Sequence, residues 1–289
     1  MYTLQEWQAN GTFIDFKGHK IFTAVYGNAS STSVLLTLHG FPTASYDFAR
    51  ITPLLADQYR VIVFDMLGYG FSDKPRTHDY SLFEQADIAE AVMAHYGVLH
   101  CALLSHDMGD SVALELLRRD LNRADKQFSR LILMNGSLLL EYYQPLITQR
   151  LLLHPIAGKV VSGLNLIGFR AFSRQFSSLF VQRPPQNELK DFWSLVTTNE
   201  GNRIYHRLIR YLNERKIHEE AWLNALAAHP ARLTVIWGQR DPVSVPKIGD
   251  EVVKHRPDAT YLKLADVGHY PQWETPEVVV TAVKEAITG

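Results

Sequence analysis

The sequence predicts an α/β protein with a mostly parallel central sheet flanked by helices and interrupted by an inserted helical lobe. Three observations lead there. Short runs that are apolar on both faces alternate with segments of helical apolar spacing, as strands covered on both sides by helices require. Between Leu138 and about Pro230 the strand-like runs stop while helical spacing continues. After Pro230 the strand pattern resumes, so one sheet encloses the helical stretch.

The elements follow in order. Thr12–Lys17 and His19–Tyr26, broken by Gly18, read as an opening antiparallel hairpin. Val34–Leu38, Val61–Phe64, Ala102–Leu104 and Leu131–Met134 read as buried strands, with helices at Ser81–Tyr96 and Ser111–Leu121. Arg183-Pro184-Pro185 and the Gly201-Asn202 step divide the inserted stretch into several helices. Leu233–Trp237 and Thr260–Leu264 complete the sheet. The expected organisation is a core from 1–137 and 231–289, with a helical lobe at 138–230. Arg203, Arg207 and Arg210 recur at helical spacing in the lobe and read as a solvated face.

Composition narrows the function classes. The 29 basic and 30 acidic side chains leave a formal charge of −1, which offers nucleic acid no electrostatic footprint. The single cysteine, Cys101, allows no intrachain disulfide and reads as a small buried residue. The start of the chain lacks a signal-peptide pattern, and no apolar run approaches the roughly 20 residues of a membrane helix. A cytoplasmic protein without a membrane span is expected. The glycines of Gly68-Tyr69-Gly70 form no phosphate loop, and the 12 histidines contain no ligand set, so neither cofactor nor metal is expected.

The chemistry lies in four loops. Ser105-His106-Asp107-Met108-Gly109-Asp110 stands between a strand and a helix, where a sharp turn would lift one side chain above the sheet. The usual pattern there is Gly-x-Ser-x-Gly; here the central residue is Asp107, Gly109 is present, and Ser105 replaces the first glycine. Asp107 alone could equally cap the helix. Its partners favour a site: Asp241 precedes Pro242 after one strand and His269 follows the next, in the order nucleophile, acid, histidine. His39-Gly40-Phe41-Pro42 occupies an earlier strand-end loop, where the Phe41 and Met108 amides would hold a developing oxyanion. His39 and Gly40 would also shape that loop.

These motifs, with Gly68-Tyr69-Gly70-Phe71-Ser72, resemble the epoxide hydrolase and haloalkane dehalogenase branch of the α/β-hydrolase superfamily. Within the branch, Leu103–Asp110 and Arg210–Lys216 are most similar to mesoderm-specific transcript hydrolases. The resemblance spans essentially the whole chain and implies an α/β-hydrolase fold whose insertion is a cap domain.

A carboxylate nucleophile limits the reaction. Asp107 is anionic without a base, and its attack on an sp³ carbon gives a stable alkyl ester that His269, oriented by Asp241, hydrolyses. The expected substrate is a small hydrophobic electrophile. Resemblance implies a tryptophan after the nucleophile and a second donor for a halide; Met108 and Phe41 stand there, and neither side chain donates. An epoxide needs a proton donor instead. Tyr211-Leu212-Asn213 matches the family's cap tyrosine station, and Tyr142, Tyr143 and Tyr205 are further candidates. Epoxide hydrolysis is the leading expectation. A dehalogenase with a divergent halide site, another hydrolase, or a non-catalytic binding protein are the alternatives.

Overall fold

Lys17 and Gly18 take positive φ angles of 51° and 83°, the backbone a two-residue hairpin turn demands. They join β1 (Thr12–Phe16) to β2 (His19–Tyr26), the antiparallel edge of the sheet. The computed structural model describes residues 1–289. The remaining strands are β3 (Val34–Leu38), β4 (Arg60–Phe64), β5 (Cys101–His106), β6 (Phe128–Met134), β7 (Arg232–Gly238) and β8 (Thr260–Leu264). Their order is β1-β2-β4-β3-β5-β6-β7-β8, and the six strands β3 through β8 run parallel. β3 and β5 are buried along their whole length, whereas the edge strands β1 and β8 are partly exposed. The apolar runs thus mark the middle of the sheet, where helices cover both faces.

On the core, α1 (Leu4–Ala9), α2 (Thr52–Leu55), α3 (Leu82–His95) and α4 (Met108–Asp120) precede the insertion. Between β6 and β7 the chain forms only helices: α5 (Ile147–Leu153), α6 (Ala157–Gly163), α7 (Phe169–Ser177), α8 (Gln186–Thr197), α9 (Tyr205–Leu208) and α10 (Tyr211–Ala228). α11 (Pro246–His255), α12 (Pro271–Glu274) and α13 (Pro276–Thr288) return to the sheet. No helix is long and apolar enough to cross a membrane.

One feature differs from the sequence expectation. α4 starts at Met108, three residues before the apolar spacing begins at Ser111. Its first turn, Met108 to Ser111, is buried despite being half polar, so periodicity could not mark it. The last helix of the insertion, α10, packs along α4 of the core. The Trp222 indole N–H donates to the buried Glu115 carboxylate at 3.0 Å, and the Leu82 amide donates to Glu214 at 2.6 Å. Arg203 pairs with Glu200, and Arg207 and Arg210 with exposed Asp79, as a solvated face would.

Gly109 sets the distance between α4 and β3. A Cβ there would lie 2.2 Å from the Leu38 carbonyl oxygen and 2.8 Å from that of His39, backbone atoms that cannot swing aside. Gly109→Ala should therefore destabilise the fold by about 2–3 kcal/mol, the upper range for an overpacked core. Urea unfolding should show a lower midpoint at unchanged slope.

Candidate active site

Asp107 is the residue between β5 and α4, and it adopts φ 53°, ψ −113°. Side chains rarely occupy this region, and such strain persists only where the surroundings enforce it. The Asp107 amide donates to the Met134 carbonyl at 3.1 Å, holding the turn on β6. Gly40 lies so close that a Cβ there would sit 2.5 Å from that of Asp107. Ser105 fits where glycine is usual because its hydroxyl, fully buried, donates to Asp110 Oδ1 at 2.6 Å. The Asp107 side chain makes no capping bond to α4 and stands free of the helix.

Its two oxygens have different partners. Oδ1 accepts the Phe41 amide at 2.8 Å, and Oδ2 lies 3.5 Å from His269 Nε2. The Met108 amide, the second expected donor, makes no bond to Oδ1; the Met108 sulfur instead accepts the Tyr69 hydroxyl at 3.3 Å. His269 Nδ1–H donates to Asp241 Oδ2 at 2.6 Å. Asp241 Oδ1 accepts the Val243 and Ser244 amides at 2.8 and 3.0 Å. The loops after β5, β7 and β8 thus bring Asp107, Asp241 and His269 together.

One member of this array escapes sequence reading. Asn135, just past β6 at φ 47°, donates its amide to Asp241 Oδ2 at 2.7 Å. Its own Oδ1 accepts the Gly238 amide at 3.0 Å, so a single side chain fixes both the acid and the strand that carries it. A polar residue at another strand's carboxyl end was the available signal.

Burial makes the charges interdependent. Burial alone would raise the Asp107 carboxyl, but the hydrogen bond and charge of His269, with smaller help from His106 and Arg215, bring it to about 2. Burial would lower His269, yet the charge of Asp241 and the hydrogen bonds to both aspartates raise it to about 10. The histidine is therefore an imidazolium between two carboxylates. His106 is the opposite case. Burial and the His269 charge lower it to about 3, and this neutral ring donates from Nε2 to the His269 carbonyl at 2.7 Å.

His39 shapes its loop rather than the cavity. Its Nδ1–H donates to the Gly40 carbonyl at 2.9 Å and its Nε2 accepts the Met66 amide at 3.0 Å. Burial lowers its pKa, consistent with that neutral tautomer. The cavity above Asp107 and His269 encloses about 610 Å³ of free space, part of it open to solvent. Phe41, Leu146, Leu152, Phe172, Phe176 and Val243 give it apolar walls, and Thr148, Gln149 and Gln175 a polar rim. Tyr205 lines it as well.

The other tyrosines divide. Tyr211 and Tyr143 stand off the cavity wall, yet after burial the Asp107 charge is the largest influence raising each phenol. Tyr142 is not among the residues lining the cavity; its ring lies 5.8 Å from the Lys247 ammonium.

Comparison with known proteins agrees with this architecture. The family model described as alpha/beta hydrolase fold matches residues 33–276, and the chain belongs to that family. It is 40% identical over 285 residues to the mesoderm-specific transcript protein of Mus musculus, covering 94% of this chain and 84% of that one. It is 38% identical over 283 residues to the putative hydrolase LipZ of Mycobacterium tuberculosis, covering 97% and 96%. The crystal structure of haloalkane dehalogenase DbeA from Bradyrhizobium elkanii superposes with a TM-score of 0.83 at 24% identity, over 96% of this chain and 97% of that one. At that identity the likeness concerns the fold.

The ion triad has a measurable signature. His269 should remain an imidazolium in NMR titrations through pH 8, and Asp107→Asn should move its titration down by at least one pH unit. Linkage adds a window: Asp107 stabilises the fold above its unfolded value near 3.8 and is lost toward pH 2. His269 contributes fully below 6.5 and is lost as pH rises toward 10. Together they contribute most between about pH 4 and 6.5, a maximum that Asp107→Asn should flatten in thermal melts.

Proposed function

We propose that this protein is a hydrolase that opens small alkyl electrophiles through an ester on Asp107, with epoxides as substrates and vicinal diols as products. The observation that carries the reading is the Asp107 carboxylate itself: one oxygen held by the Phe41 amide, the other facing His269 at 3.5 Å. A site built for a serine would need a base on its hydroxyl. Here the elbow carries a ready anion, and the histidine is free for a second step.

In the first step Asp107 Oδ2 bonds to an epoxide carbon and the ring C–O bond breaks. The departing oxygen takes a proton from Tyr211 or Tyr143. Esterification removes the Asp107 charge that helped hold His269 protonated. The imidazolium proton then returns to the phenolate, leaving a neutral imidazole beside the ester. In the second step His269 takes a proton from water, and the hydroxide adds to the ester carbonyl. Its oxygen, the former Oδ1, remains on the Phe41 amide. Collapse releases the diol oxygen, which takes the proton from His269; the proton left on the Asp107 carboxyl by the added hydroxyl then passes to His269, restoring the carboxylate and the imidazolium.

A haloalkane substrate is the weaker reading, because Phe41 and Met108 supply no side-chain donor to a halide. A binding protein would have no use for a buried ion triad, which is costly unless completely paired. The family membership and the description of LipZ as a putative hydrolase support the broader class.

His269→Gln should permit the first step and block the second. Incubation with an accepted epoxide should leave an adduct of the epoxide's full mass on the peptide containing Asp107, and unmodified protein would defeat the ester mechanism. Asp107→Asn should form none. Tyr211→Phe and Tyr143→Phe should each slow ester formation by about 10–100-fold in single turnovers, the lower part of what a positioned acid contributes. An unchanged rate would assign that tyrosine to packing.

A further inference from the structure

Six large aliphatic side chains are left in water between positions 147 and 166: Ile147 and Leu151 on α5, and Ile156, Val160, Leu164 and Leu166 on or beside α6. Ile147 and Leu151 are four residues apart, as are Ile156, Val160 and Leu164, so each set forms a stripe along its helix. Ile156, Leu164 and Leu166 are 72%, 67% and 61% exposed. Single apolar residues on a surface are ordinary, but such a concentration marks a face that meets something apolar.

Charge identifies what it meets. From Tyr142 to Asn187 the chain has no acidic residue, whereas it carries Arg150, Lys159, Arg170, Arg174 and Arg183. All five are exposed and none is paired with a carboxylate, unlike Arg203 with Glu200 and Arg207 with Asp79. A groove beside α6 gathers further cations. His154, Lys159, His206 and Arg210 line it with Leu152 and Leu153, and no carboxylate is among its lining residues. Arg210 has only the exposed Asp79, 3.9 Å away. Leu152 lines this groove and also the cavity above Asp107, so the two share a side chain.

A second copy of the chain would set these like charges against each other, and a nucleic acid would leave the aliphatic stripes in water. An anionic bilayer satisfies both, with acyl chains for the stripes and phosphates for the cations. Each helix has seven residues, about 10 Å at ~1.5 Å per residue, against roughly 30 Å of hydrocarbon, so the pair would lie in the interface and not span it. We propose that α5 and α6 dock the protein on an anionic membrane surface, and that its substrates are long-chain alkyl epoxides entering the cavity from the lipid. The substrate class rests on the reaction proposed above, whereas docking does not.

The test has two arms. The full chain is sedimented with vesicles of phosphatidylcholine alone and of an equimolar mixture with phosphatidylglycerol. Wild type should partition into the mixed vesicles about 10–100-fold more strongly, and added salt should erode the difference. Lys159→Gln/Arg210→Gln should weaken that binding about 5-fold per charge removed, the worth of one basic residue at an anionic surface. Ile156→Gln/Leu164→Gln should weaken it about 10-fold through loss of the aliphatic stripe. Equal partition into both lipids would overturn the docking surface, as would unchanged binding by either double variant in folded form. So would a dimer, seen by sedimentation velocity without vesicles, that Ile156→Gln/Leu164→Gln dissolves, because the face would then cover a second copy. In the second arm, epoxydodecane carried in vesicles is compared with epoxybutane in solution. Mixed vesicles should speed turnover of the first relative to phosphatidylcholine vesicles and leave the second unchanged. Ile156→Gln/Leu164→Gln should lose that gain and keep its turnover of epoxybutane. Docking without the gain would overturn entry from the lipid. Vesicle binding without turnover of either epoxide would refute the epoxide reading and leave the docking surface standing. Turnover of both epoxides without vesicle binding would do the reverse.

Discussion

One backbone conformation organises the site. Asp107 sits at φ 53°, ψ −113°, and the close approach of β3, β5, β6 and α4 leaves it no alternative. In a relaxed conformation an aspartate at this place would cap α4, satisfying the helix and losing its freedom. The turn instead projects the carboxylate away from the helix, toward the Phe41 amide and His269. The small residues nearby serve this single purpose. Gly109 lets α4 begin directly against β3, and Gly40 lets the Phe41 loop close over the carboxylate.

Burial then turns geometry into electrostatics. Asp107, Asp241 and His269 are out of water, and each meets an opposite charge or several N–H donors. Burial disfavours charge on the groups around them. His106 and His39 are lowered by burial, and Asp47 and Asp110 are raised by it. A low-dielectric site with few charges responds strongly to the loss of any one of them. For that reason the state of Asp107 can govern the state of His269 without movement of either residue.

The sheet was legible because its strands are apolar on both faces, a pattern that no exposed element imitates. The inner strands β3 to β7 appear where runs of Val, Ile and Leu place them, and the β1–β2 hairpin where Gly18 breaks the chain. The loops bearing Asp107, Asp241 and His269 were legible for a related reason, since each follows such a run directly. What remained hidden was polar and buried. The first turn of α4 reads as loop, and Asn135 is one amide among many. Tyr142 and Tyr143 are adjacent on the chain, and sequence cannot choose which one faces inward. The structure separates them: the Tyr142 ring lies 5.8 Å from the Lys247 ammonium, and the Tyr143 hydroxyl is buried without a partner.

The attachment of the insertion to the His269 loop has a mechanical meaning. The His269 amide donates to the Leu179 carbonyl at 2.7 Å, just beyond the end of α7. Glu274 joins the same two segments, accepting Gly268 on one oxygen at 2.7 Å and Val181 on the other at 2.8 Å. This wall of the cavity and the His269 loop are therefore joined directly by hydrogen bonds. A displacement of the chain around Leu179 drags the imidazole out of line with Asp107, so that wall cannot serve as a door while the triad stays aligned. The residues of α5, exposed at Ile147 and Leu151, carry no such tether to the histidine. Of the cavity's walls, it is the segment around Leu179 that is hydrogen-bonded to the backbone of His269.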